Sequence, residues 1–316
     1  MSSTIPSGGA KRILVIGEIN VDLVFKGCHA VPAPGKEVIA DDFVMVPGSS
    51  SMICAMGLAR LGNAVRFHGK LGADEWGDYC VAALRGAGID IASLHQDPAL
   101  RTGITVSLST PQDRALVTYT GAIAALRADE VSDALLSSAN HLHISSFYLQ
   151  KALRPGISQL FARARAAGLS TSLDPGFDPD QQWGRDLLDT LREVDVFLPN
   201  EQELLAITGE GGLLAALHAL DNGHTRTVVK LGRLGCASLD DGHLLEVPAS
   251  TIDAVDSTGA GDSFDAGFLH AWLSGLPLRE SMRWGSACGT LSTRAIGGTA
   301  GQADIAEVQT LLASVP

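Results

Sequence analysis

Short apolar runs alternate with stretches of helical period along most of this chain. Arg12–Ile16, Val65–Lys70, His141–Ser145, Ser170–Leu173, Val194–Leu198 and Thr227–Leu231 have the length and apolar character of buried strands. Between them Ser51–Leu61, Trp76–Ala87, Pro155–Ala167, Glu201–Thr208 and Leu213–Asp221 read as helices. This alternation predicts an α/β fold: a mostly parallel sheet with helices on both faces and right-handed crossovers. Ligands then belong at the carboxyl ends of the strands. The pattern breaks over residues 21–46 and 102–120, where the strand-like runs Val21–Phe25, Ile104–Leu108 and Leu116–Tyr119 meet Pro, Gly and charged turns. Residues 1–10 are polar and Ser/Gly-rich, and are expected to form a disordered tail.

Composition narrows the function classes. A chain of 316 residues with 46% apolar content can bury a large core, as one large domain or two ordinary ones. Its formal charge of −12 argues against nucleic acid or an anionic membrane surface as partner. The five cysteines, at 28, 54, 80, 236 and 288, form no C-x-x-C pair and read as reduced thiols of a cytoplasmic protein. No apolar run reaches membrane-spanning length, and the first ten residues lack the pattern of a signal peptide.

The most specific chemistry lies in Asp256-Ser257-Thr258-Gly259-Ala260-Gly261-Asp262. Gly259 and Gly261 let backbone come close to an anion, and the small Ala260 does not block it. Phe264, Phe268, Ala271 and Trp272 then recur on one helical face from Ser263 to Ser274, with Gly275 as stop. Asp262 therefore falls in a first helical turn, beside amides free to hold a phosphoryl group. One element offers both a base and an anion hole. Read alone, the same residues also describe a Gly-rich capped helix start.

Four further segments accompany it: Gly17-Glu18-Ile19-Asn20-Val21-Asp22, Pro47-Gly48 through Leu61-Gly62, Pro199-Asn200-Glu201-Gln202-Glu203, and Val228-Val229-Lys230-Leu231-Gly232. In this order, and with the Asp256–Phe264 stretch, the chain resembles the ribokinase-like carbohydrate kinases, also called the phosphofructokinase B type. The likeness runs from residue 12 to about 302. It implies a three-layer sandwich whose α/β core comprises residues 11–20, 47–101 and 121–316, with a small β-sheet lid formed by 21–46 and 102–120. It also implies transfer of the γ-phosphate of ATP to a sugar hydroxyl, with Mg2+ and, as in many relatives, K+.

Residue by residue, the resemblance makes Asp262 the general base and Gly259, Ala260 and Gly261 the anion hole. Asp22 would bind sugar hydroxyls, together with the turn at Gly48 and Ser49. Asn200 and Glu203 would organise Mg2+ through water, although the same pair fits a capping box at a helix start. Lys230, Gly232 and Gly235 would pass near the nucleotide phosphates and Ser286 near adenine. Asp256 and Thr258 would take part in a K+ site with a C-terminal loop at 292–299. Asp174, ending a core strand, is a further candidate near the pocket mouth. Lid strands of relatives often pair across a dimer, so a homodimer through the lid is also implied.

Departures from the pattern bear on the acceptor. Ile53 stands where ribokinases have a sugar-binding Asn, and Ser145-Ser146 where they have an acidic sugar ligand; both point away from ribose. A nucleoside kinase shares the chemistry, and a non-catalytic sugar or nucleotide sensor shares the fold. Competing motifs are weak. Gly69-Lys70-Leu71 lacks the Ser or Thr of a P-loop, and Gly72–Gly77 is no dinucleotide fingerprint. His141 and His143 share a strand face but have no partner at metal-ligand spacing.

Overall fold

The computed structural model describes residues 11–110 and 114–314; the tail expected at 1–10 lies outside the described residues. Eight strands form the main sheet, in the spatial order His243–Val247, Cys236–Asp240, Arg226–Lys230, Val196–Phe197, Ser170–Leu173, His141–Ile144, Arg12–Ile16, Ala64–His68. The six from Arg226–Lys230 to Ala64–His68 run parallel. Cys236–Asp240 and His243–Val247 add an antiparallel hairpin at one edge.

Alternating side chains explain why both faces of this sheet are covered. In Arg12–Ile16, Leu14 and Ile16 join a core with Leu160, Phe161 and Leu217, whereas Ile13 and Val15 join one with Met52, Leu84 and Phe268. Helices Ile157–Ala166, Glu201–Thr208 and Leu213–Leu220 therefore lie on one face. Ser50–Arg60, Glu75–Gly86, Ala260–Leu273 and Leu278–Ser292 lie on the other.

Two strand boundaries differ from the periodicity for local reasons. The run Val65–Lys70 divides into Ala64–His68 and Lys70–Gly72, because at Gly69 a side chain would lie 2.6 Å from the Gly17 carbonyl. Val194–Leu198 narrows to the two paired residues Val196–Phe197.

A second sheet has four strands, in the order Asp42–Pro47, Asn20–Lys26, Gly103–Ser109, Arg114–Tyr119. Cross-strand partners share a face. One face carries the rows Phe43, Phe25, Leu108, Ala115 and Met45, Leu23, Val106, Val117, which are apolar throughout. The opposite face carries Val46, Asp22, Thr105 and Thr118.

Helix Ala260–Leu273 and helix Leu278–Ser292 pack without side-chain clearance at Gly267, where a Cβ would lie 2.6 Å from Cys288 Sγ and 2.7 Å from the Trp284 carbonyl. Gly267→Ala is therefore expected to destabilise by about 1–2 kcal/mol, because overpacking outweighs the ~1 kcal/mol gained in helix propensity. Urea denaturation measures it, and unchanged or increased stability would show that the two helices part freely.

Candidate active site

The first turn of helix Ala260–Leu273 is half-buried, at the carboxyl ends of the parallel strands, and the helix is buried from Ser263 onward. Gly259 caps it at φ 70°, and a side chain there would lie 2.5 Å from Gly298 Cα, so only glycine fits. The amides of Ala260, Gly261 and Asp262 are among those a helix leaves without intrahelical partners. That of Ala260 closes on the Ser257 carbonyl at 3.2 Å. Asp256 fastens the turn to the C-terminal loop: Oδ1 accepts the Thr258 amide (2.9 Å) and hydroxyl (2.8 Å), and Oδ2 accepts the Gly297 amide (2.8 Å).

Carboxylates crowd around this turn. Asp174, Asp262 and Asp265 bring oxygens within 4.8 Å of one another. Lys230 Nζ stands among them, 2.7 Å from Asp174 Oδ2 and 3.1 and 3.2 Å from the two oxygens of Asp265. Burial alone would raise Asp174, but Lys230 and hydrogen bonds from Asp265, Lys230 and the Gly176 amide hold it below the usual carboxylate range. Burial raises Asp265 well above that range. Asp262 keeps some solvent exposure, yet the protein around it pushes its pKa up to about 7. The Asp174 charge adds to this, while Lys230 and a Ser50 hydrogen bond oppose it. Glu203 is likewise pushed up to about 7, by burial first and Asp174 second.

Asn200 and Glu203 form a complete capping box: Glu203 Oε2 accepts the Asn200 amide at 2.8 Å, and Asn200 Oδ1 accepts the Glu203 amide at 2.9 Å. Asn200 also bridges to Lys230 across the strand ends. On the other side of Asp262, Ser50 starts helix Ser50–Arg60, which Ser49 caps from a left-handed φ of 67°. Ser49 Oγ donates to the Glu18 carbonyl at 2.7 Å, and the buried Glu18 carboxylate accepts the Ser51 amide (3.1 Å) and hydroxyl (2.5 Å). Asp22 accepts the Asn20 amide group at 2.7 Å, and Asn20 also donates to Thr105 at 3.1 Å. Gly48 lies against Asp22; a Cβ would approach its Oδ1 to 2.1 Å.

Other sequence candidates lie further out or are packed away. Ile53 is buried at 3% exposure, its side chain wedged against Gly298 and Gly259. Gly235, at φ 104°, turns the chain where a side chain would strike the Val247 carbonyl; Gly232, at φ 58°, has nothing near it. Ser286 lines a cleft of about 200 Å³ with Pro248, Ser250, Arg279, Glu280 and Arg283. A second cleft of about the same volume, around His224 and Asp241, adjoins the amino end of strand Arg226–Lys230 and is remote from this chemistry. His141 and His143 share the Ser172 hydroxyl at 2.7 Å each, and burial lowers them to about 3 and about 4; they are neutral strand histidines. Asp265 and Glu18 were not visible as site residues in the sequence. Only the i, i+3 spacing of Asp262 and Asp265 on one helix hinted at the former.

Residues 10–305 match the family described as pfkB family carbohydrate kinase. The chain belongs to that family. It is an enzyme of the ATP-dependent carbohydrate kinase class. Fructokinase-1 of Zea mays is 28% identical to it over 97% of this chain and 99% of the relative. Two solved structures share the ribokinase-like fold. Arabidopsis thaliana ribokinase complexed with ribose and ATP has 23% identity, a TM-score of 0.82, and 96% and 99% coverage of the two chains. An Escherichia coli ribokinase II relative in complex with ATP and Mg2+ has 22% identity, a TM-score of 0.84, and the same coverage.

The raised carboxylates of this pfkB kinase make its stability depend on pH in a defined direction. Asp262 and Glu203 titrate near 7 when folded and near 4 when unfolded, so between those values the folded protein holds protons that the unfolded chain has released. Their contribution is full below about pH 4 and is lost as pH rises through about 7. His141 and His143 act oppositely over part of this range, so the informative quantity is the difference between variants. Asp262→Asn is expected to gain stability over wild type as pH is raised from about 5 to about 8. Thermal melts at both pH values measure this; an unchanged difference would mean Asp262 titrates normally.

Proposed function

We propose that this enzyme transfers the γ-phosphate of ATP to a hydroxyl of a sugar or sugar derivative, with Asp262 as general base. The supporting observation is a carboxylate poised near pH 7 in the half-buried first turn of a helix, beside amides that have no partner within the helix. Asp22, aligned by Asn20 and Thr105, would hold acceptor hydroxyls, with Gly48 and Ser49 keeping the turn close. Asp262 would accept the proton of the attacking hydroxyl. The backbone at Gly259, Ala260 and Gly261 would face the charge of the transferring group, so positioning and electrostatics carry the catalysis. The cleft at Ser286 suits the base of ATP, with the Gly232–Gly235 turn near its phosphates. The four-stranded sheet would serve as the lid over the acceptor.

The residues also fit a magnesium ion. Four carboxyl groups, Asp174, Glu203, Asp262 and Asp265, face one lysine, an excess that a hard cation with oxygen ligands would relieve. Asn200 and Glu203 would hold Mg2+ largely through water, and when bound it neutralises phosphate charge. The case for K+ is weaker, since the three donors on Asp256 favour a loop-fastening role for that carboxylate, with Thr258 as part of the clip. Five buried, unpaired cysteines suit the reducing cytoplasm.

Fructokinase and ribokinase relatives support a free sugar over a nucleoside as acceptor, and Ile53 offers a sugar no hydrogen bond. The family membership and the intact Asp262 turn argue against a non-catalytic sensor. Acceptor-dependent ADP release across a panel of sugars, sugar acids and nucleosides tests the reading. With the best acceptor, Asp262→Asn is expected to lower kcat by roughly 10²–10⁴, and wild-type kcat/KM to fall as pH drops through about 7. A variant keeping a third or more of wild-type turnover would remove Asp262 from the mechanism.

We further propose that the apolar face of the lid sheet seats against the same face of a second copy. Phe43, Val117 and Tyr119 on this face are each about half or more exposed, and a purely apolar, regular sheet face suits its own symmetry mate. Val117→Asp is expected to convert a dimer to a monomer in sedimentation equilibrium; a wild-type monomer at tens of micromolar would refute this.

A further inference from the structure

The resemblance implies that Lys230 passes near the nucleotide phosphates, and in the structure its ammonium is engaged by two carboxylates. An ammonium group has three donors, and Lys230 directs its own to Asp174 Oδ2 and the two oxygens of Asp265. Its side chain is 11% exposed, between partners at 6% and 1%. The stem runs beneath the anion-hole turn: a Cβ on Gly261 would lie 3.5 Å from Nζ and 3.8 Å from Cδ and Cε. To reach a phosphate, Lys230 would have to abandon a buried ion pair.

Such a cluster is an expensive way to fill an interior. A buried ion pair is seldom more stable than well-packed apolar residues of the same volume, so its presence beside a reacting group calls for another reason. Charge supplies one. Asp174, Asp262 and Asp265 converge within 4.8 Å, with Glu203 buried nearby, and a phosphoryl group arriving at the turn would add further negative charge. Among the described residues the one cation in contact with these carboxylates is Lys230. Its ammonium is held between Asp174 and Asp265, so a magnesium ion would be met by Asn200 and Glu203 and not between those two aspartates.

We propose that Lys230 is a positioning residue for phosphoryl transfer: a buried cation, fixed by Asp174 and Asp265 beneath Gly261, against which the Asp262 carboxylate and the transferring group are held without contact to the nucleotide. This rests on Asp262 being the base. It separates three roles for Lys230, namely phosphate ligand, structural ion pair and electrostatic support of the reacting centre.

The test is a comparison of wild type with Lys230→Met, Lys230→Arg and the double variant Lys230→Met/Asp174→Asn. Measurements are ADP affinity by calorimetry, acceptor KM, kcat with the best acceptor, and thermal stability. Lys230→Met is expected to leave the ADP dissociation constant and acceptor KM within about threefold while kcat falls about 30-fold or more, the mark of an interaction made in the transition state. Lys230→Arg, which keeps the charge, is expected to recover about tenfold of that loss. The double variant removes equal and opposite charges and keeps the interior balanced even where the single variant does not fold. It is expected to bind ADP normally and to remain at least about tenfold slow.

A loss of ADP affinity with kcat intact would restore the phosphate-ligand reading and overturn the proposal. So would wild-type kcat in the double variant, which would leave Lys230 as the counter-ion of Asp174 alone. Neither result would touch the assignment of Asp262, which stands or falls on Asp262→Asn.

Discussion

A helix leaves its first amides without intrahelical partners, and in this protein the half-buried turn that carries them is organised around Gly259. The left-handed cap at Gly259 turns the chain so that the amides of Ala260–Leu273 face the strand ends instead of solvent. Gly298 packs so closely that a side chain at 259 would lie 2.5 Å from its Cα, so only glycine fits the turn. Gly298 is kept there by its neighbour Gly297, whose amide donates to Asp256, two residues ahead of Thr258 in the same loop. The Gly259 turn, the clip at Asp256 and the C-terminal loop thus form one closed circuit of contacts.

Charge in this region is unbalanced by design of the fold. Strand ends from several crossovers converge, so Asp174, Glu203 and Lys230 meet although they are far apart in the chain. With more carboxylates than ammonium groups in a buried volume, some must stay protonated near neutrality, and Asp265, Asp262 and Glu203 all shift upward. Asp174 is the exception because it holds the shortest contact to Lys230. Glu203 adds a structural duty to this, since its second role is to cap its own helix. A metal ion or phosphate arriving here meets groups whose protonation is already finely divided.

Much of this was legible in the residues, and the reasons for the rest are specific. Arg12–Ile16 and Ser170–Leu173 have the boundaries their apolar runs indicate, because continuous burial on both faces leaves no other register. The hairpin Cys236–Val247 escaped notice because its turn, Asp241-Gly242, joins strands whose outer residues are exposed and weakly patterned. The Asp262 turn could be read because its chemistry is local, seven residues long. Asp265 and Glu18 could not, and Lys230 was legible as a candidate but not its ion pairs, because these acquire meaning only from partners that long-range folding delivers.

Ile53 shows how a motif position can keep its place and change its work. The start of helix Ser50–Arg60 comes up beside Asp262, with Gly48 just before it against Asp22. The Ile53 side chain, however, is apolar, and the nearest surfaces it can cover are the bare backbones of Gly259 and Gly298. An amide side chain in that wedge would bury a polar group against two glycines, at a cost of order 1–3 kcal/mol unless it found a partner. Isoleucine instead fills the gap and leaves the interior face of the turn dry. The polar groups beside this helix start include Asp22 and the Asn20 and Thr105 groups that align it, all carried by the four-stranded sheet.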